Sequence, residues 1–113
     1  TREEIEYAHQ LMELTHISKL AGQYPHTLSG GEASRVAVCR ALIRKPLLVL
    51  ADEPTGQLDK ENARNIASLF SEINLRMRTT IVMVTHDPQA ALQARRTLHL
   101  DKGQFLEETR AAE

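Results

Sequence analysis

The chain has 113 residues, 42% of them hydrophobic and 26% charged, with a formal net charge of -1. This composition excludes a wholly disordered chain and carries none of the basic excess of nucleic-acid-binding domains, so no nucleic-acid partner is expected. A single cysteine, Cys39, rules out an internal disulfide and suits a reducing compartment. No apolar run approaches the roughly 20 residues of a membrane helix, so membrane association would have to come through a partner.

The chain opens without methionine, directly inside a helical pattern, as expected of a piece of a longer protein. Ile5, Ala8, Met12 and Thr15, widened by Leu11, predict a helix over roughly the first sixteen residues. A loop through Gly22 and Pro25 follows. Val36, Ala37, Cys39, Leu42 and Ile43 mark a second helix from about Gly31 to Arg44, stopped by Pro46. The continuous apolar run Leu47 to Ala51 predicts a strand buried on both faces. A polar loop from Asp52 to Asp59 leads to a third helix with Ala63, Ile66, Phe70, Ile73 and Met77 as its stripe. Ile81 to Val84 predicts a second buried strand, and Asp87-Pro88 the cap and first-turn proline of a short helix. Thr97 to Leu100, a turn at Lys102-Gly103, and Gln104 to Leu106 complete the pattern as two strands. Strands alternating with helices indicate an α/β layer with a parallel sheet, preceded by a helical lobe.

Three clusters carry candidate chemistry. Ser29 and Glu32 have the spacing of a capping box, but that does not account for Gly30 and Gly31 together. Glycines at a helix amino end also let backbone N–H groups and the Ser29 hydroxyl reach a phosphate, and both readings stand on residues alone. Asp52-Glu53 closes the first strand, where ligands of α/β sheets collect. One carboxylate there suits a magnesium ion and the other a general base for water, although solvated acids opening a loop look the same. Thr85-His86-Asp87 closes the second strand. If the strands are neighbours, His86 meets Glu53 and a neutral imidazole is available for a phosphate or a water; alone it reads equally as a loop histidine followed by a cap.

Taken together, the clusters resemble those of the ABC-type ATPases. Leu28 to Glu32 is similar to the family signature LSGGQ, with Glu32 in the fifth place. Leu47 to Glu53 looks like a Walker B strand, Gly56-Gln57-Leu58-Asp59 like the D-loop, and Thr85-His86-Asp87 like the switch histidine, while Tyr24-Pro25 has the look of the approach to the signature. The wording Ala51-Asp52-Glu53-Pro54-Thr55-Gly56 with Leu58-Asp59 resembles the subgroup of lipoprotein-release, macrolide-export and cell-division ATPases. The resemblance implies a P-loop NTPase-type parallel sheet with an N-terminal helical lobe, divided at 1–45 and 46–113, the second part RecA-like. It further implies that Asp52 serves Mg2+, Glu53 the attacking water and His86 the γ-phosphate. Ser29, Gly30, Gly31 and Glu32 would face the γ-phosphate of an ATP held by a second, head-to-tail nucleotide-binding domain, and Asp59 would couple the two sites. A transmembrane permease is the implied second partner, at the cytoplasmic face of the cell membrane.

No G-x-x-x-x-G-K-[ST] occurs in the chain, so the backbone cradle and lysine for the phosphates are not in it. The expectation is that the first half of the domain is missing and that the piece alone is inactive. The intact Asp52-Glu53 and His86 argue against a non-catalytic interaction module. The first helix shows no sustained heptads, which argues against a chromosome-maintenance ATPase.

Overall fold

A computed structural model describes residues 1–22 and 28–111. Within it, α1 spans Arg2–Leu14, α2 Gly30–Leu42, β1 Leu48–Asp52, α3 Lys60–Met77, β2 Thr80–Val84, α4 Pro88–Ala91, β3 Arg96–Asp101 and β4 Gln104–Arg110. The Tyr24-Pro25 approach lies outside the described residues.

The helices begin where their side chains satisfy the first N–H groups, which no helical carbonyl can reach. Thr1 and Glu4 form a capping box on α1, and Ser29 and Glu32 form one on α2. Asp59 accepts from the Asn62 N–H at 2.8 Å, and Asp87 accepts from the Gln89 N–H at 3.0 Å. The ends are less conventional. His16, Lys45 and Arg78 each take a left-handed backbone (φ 61°, 53° and 54°) that glycine usually supplies. Helix α2 stops at Leu42, two residues short of the expected Arg44, and the Leu42 carbonyl accepts from the Lys45 N–H and from the Tyr7 hydroxyl, each at 2.9 Å. Lys45 Nζ lies 4.7 Å from the same ring's centre, so α1 clasps the far end of α2.

The core runs along the helices. Leu11 of α1, Leu42 of α2 and Ile66, Leu69, Phe70 and Ile73 of α3 form one buried cluster. Ile66, Phe70 and Ile73 of the predicted stripe are buried, while Ala63 and Met77 are only half-buried. Thr15 is fully buried, its hydroxyl donating to the Leu11 carbonyl at 2.8 Å and lying 2.9 Å from Cys39 Sγ.

Strands β1 and β2 pair in parallel, with Leu48 opposite Thr80 and Asp52 opposite Val84. Side chains alternate across a strand, so Val49, Ala51, Ile81 and Met83 pack on the helical core while Leu48, Leu50, Val82 and Val84 take the other face. That second face is bare: Leu50 is 73% exposed and Val84 59%. The expectation of strands buried on both faces is therefore corrected, because only one face has a covering layer among the described residues. Strands β3 and β4 form a separate antiparallel ribbon, and β4 continues to Arg110, beyond the expected Leu106.

Candidate functional site

The parallel register carries two loops off the sheet side by side. One residue beyond β1, the Glu53 N–H still donates to the Val84 carbonyl at 2.7 Å. Glu53 then turns with φ 48°, a left-handed conformation that costs a residue with a Cβ roughly 1–2 kcal/mol. Strain of this kind persists only where the surroundings over-determine it. Here the turn carries the Glu53 carboxylate onto the end of β2. Its Oε1 accepts from the His86 backbone N–H at 3.1 Å and lies 2.6 Å from His86 Nδ1, while Oε2 accepts from the Thr85 hydroxyl at 3.5 Å. The Glu53 side chain is 35% exposed and the His86 ring 89%. The carboxylate is sheltered while the imidazole stands open, and Nε2 has no partner among the described residues. The Thr85 hydroxyl also accepts from the Asp87 N–H at 3.0 Å, tying this corner to the start of α4.

Asp52 and Glu53 diverge, because Asp52 keeps the alternation of β1 while Glu53 turns out of the strand. Asp52 continues the bare face of Leu48 and Leu50 and is exposed. Glu53 and His86 instead line an open cleft of about 460 Å³ with Ser34, Pro54, Gly56, Gln57 and Leu58. Among the described residues no group of three or more histidine, cysteine or acidic side chains is set to hold a metal ion. A lone carboxylate such as Asp52 nevertheless fits magnesium, which keeps several waters and takes one or two carboxylates beside substrate phosphates.

At the amino end of α2 the capping box of the sequence reading is formed. Ser29 Oγ accepts from the Glu32 N–H at 3.1 Å, and Glu32 Oε1 accepts from the Ser29 N–H at 3.0 Å. The box leaves the Gly30 and Gly31 N–H groups without a partner among the described residues, at the end of the helix that attracts anions. Gly30 is exposed and Gly31 buried. Asp59 is exposed and serves as the cap of α3.

Two residues escaped the sequence reading. Thr85 was legible only as part of a motif, and its hydroxyl contact to Glu53 depends on strand pairing. Asn62 carried no signal beyond its place three residues after Asp59, yet its side chain abuts Gly31.

A family model described as ABC transporter matches residues 1–56. The lipoprotein-releasing system ATP-binding protein LolD of Bordetella avium is 46% identical over 99 residues, covering 88% of this chain and 43% of the relative. A bacterial ABC transporter cassette solved as a dimer superposes with a TM-score of 0.78 at 33% identity, over 96% of this chain and 47% of that one. The same cassette in a dimeric post-hydrolysis state, bound to ADP and Pi, gives 0.75 at 32% identity, over 92% and 45%. The chain belongs to the ABC transporter ATP-binding family and has its P-loop NTPase-type α/β fold. Within that family it is similar to the lipoprotein-release subgroup, and it spans less than half the length of the relatives it matches.

Proposed function

We propose that the chain is the part of an ABC-type ATPase subunit that holds the hydrolytic carboxylate, the switch histidine and the signature, and that the whole protein couples ATP binding and hydrolysis to transport through a membrane partner. The observation that carries the reading is the junction of Glu53 and His86, 2.6 Å apart at the carboxyl ends of two parallel strands. Ligands of such sheets bind there, and a half-sheltered carboxylate beside an exposed imidazole suits the activation of water next to a phosphate.

In this reading Glu53 accepts a proton from the attacking water, and Thr85 and the His86 N–H hold its carboxylate in place. A contact from His86 Nε2 to the γ-phosphate needs a proton on that nitrogen. The ring must then carry a second proton or give up an Nδ1–H bond to Glu53. Asp52 would hold Mg2+, which supplies charge neutralisation at the phosphates when bound. Ser29, Gly30 and Gly31 present one hydroxyl and two N–H groups without a partner among the described residues, a donor set for the γ-phosphate of an ATP carried by a second nucleotide-binding domain. Glu32 holds that helix end in shape, and Asp59 faces the second domain. A lobe of residues 1–45 would meet the transmembrane permease, and 46–113 would be the RecA-like part.

Among the described residues no helix is long and apolar enough to cross a membrane. A peripheral location on the cytoplasmic face, held by the permease, fits the reading. The similarity to LolD favours a lipoprotein-releasing system as the setting. The test is MgATP turnover and MgATP-driven dimerisation of the full-length protein. A protein that binds MgATP but neither dimerises nor hydrolyses it would overturn the proposal.

A further inference from the structure

Gly30 and Gly31 sit side by side in sequence but meet different surroundings. Among the described residues, a Cβ built on Gly30 would find only Leu58 Cδ2, at 3.7 Å, which is ordinary contact. A Cβ built on Gly31 would lie 2.6 Å from Asn62 Oδ1 and 2.9 Å from Asn62 Cγ, closer than real side chains approach. Both residues lie in α2, where φ is negative, so neither glycine is needed for backbone conformation. Gly31 is a glycine because the first turn of α2 rests directly on the first turn of α3. Gly30 has room for a methyl among the described residues, and its exposed surface is available to something outside them.

The seat matters because of what Asn62 is attached to. Its backbone N–H is the one that Asp59 caps, at 2.8 Å, and Leu58, the neighbour a Cβ on Gly30 would meet, precedes Asp59 directly. Gly31 is buried in this contact, while the amides of Gly30 and Gly31 stay unused by the capping box. We infer that Asn62 is a positioning residue: its side-chain amide seats Gly31, so that the signature turn and the Gly56–Asp59 segment of one chain move as a single body toward the opposing nucleotide. The inference deepens the proposed function and rests on it for the dimer, but the seat itself does not depend on it.

The experiment is a double-variant cycle in the full-length protein, read by thermal unfolding and by MgATP-driven dimerisation. Gly31→Ala is expected to lower the melting temperature by roughly 2–10 °C, the ordinary consequence of overpacking, and to weaken dimerisation at least tenfold. Combining it with Asn62→Ala is expected to restore both, because the added methyl then occupies the space the amide left. Asn62→Ala alone should weaken dimerisation several-fold while leaving the binding of MgATP to the separate subunit unchanged. Gly30→Ala should weaken dimerisation without lowering the melting temperature, and Asn62→Ala should not correct it. If Gly31→Ala is too unstable to purify, recovery of folded protein in the double variant replaces the melt, and failure of both to fold counts against the seat. The inference is overturned if Gly31→Ala melts like the parent, if its loss persists in the double variant, or if Asn62→Ala leaves dimerisation intact. A parent protein that does not dimerise with MgATP overturns the proposed function, and with it the signature's task, while the melting rescue still decides the seat.

Discussion

Replacing Glu53 by Gln separates the chemical role of this side chain from its structural one. The carboxylate accepts from the His86 N–H at 3.1 Å and lies 2.6 Å from Nδ1. Gln keeps the length, the Cβ and one acceptor oxygen, and it leaves the strained φ of 48° as it was. What it removes is the charge on the hydrogen bonds. Exchanging a charge-assisted bond for a neutral one at a partly exposed site costs about 1 kcal/mol, a modest shift in melting temperature. Removing a general base costs about 10²–10⁴ in rate, equivalent to about 2.7–5.5 kcal/mol of barrier at 1.36 kcal/mol per tenfold. The chemical effect therefore exceeds the structural one by a clear margin. In the full-length protein, single-turnover hydrolysis should fall at least about a hundredfold while MgATP still binds and the ATP-bound dimer accumulates. Hydrolysis within tenfold of the parent would refute the assignment and make His86 the leading candidate for the base.

Further expectations follow from other features of the chain. Ser29→Arg places a long cation at the exposed turn before α2; it should block dimer closure while calorimetry still records MgATP binding to the separate subunit. The 113-residue chain by itself, which contains no P-loop sequence, should give no micromolar MgATP isotherm, and a saturable one-site curve would contradict this. With Leu50, Leu98, Leu100 and Phe105 more than half exposed, the same chain should self-associate in light scattering, and a monodisperse monomer with a cooperative melt would count against it. Burial pushes the Cys39 thiol up, and its hydrogen bond with Thr15 only partly opposes this. The unfolded chain thus releases that proton first, so stability should be complete below the ordinary thiol range and decline as pH rises through it. In the full-length protein, alkylation of Cys39 at neutral pH should be slow until unfolding, and fast labelling of the folded protein would refute the burial argument.

What the sequence determined by itself was local. The box at Ser29 and Glu32, the caps at Asp59 and Asp87, and the stripe of Ile66, Phe70 and Ile73 were legible because capping and helical periodicity act over three or four residues. The motif order from Leu28 to Asp87 was likewise written in neighbouring residues. Contacts set by strand pairing were not. Glu53 reaches His86 only because β1 and β2 are adjacent and parallel, an arrangement decided by packing on α3 across 33 positions of sequence. The apolar runs of β1 and β2 likewise said nothing of which face finds a cover, since a run apolar at every position has no period to mark its inner side. Strand β4 was read short because Glu107, Glu108, Thr109 and Arg110 show no apolar alternation, and pairing with β3 alone holds them extended. The paired glycines of the signature looked alike in sequence. Only the tertiary structure distinguished them, by setting Asn62 against one and leaving the other open.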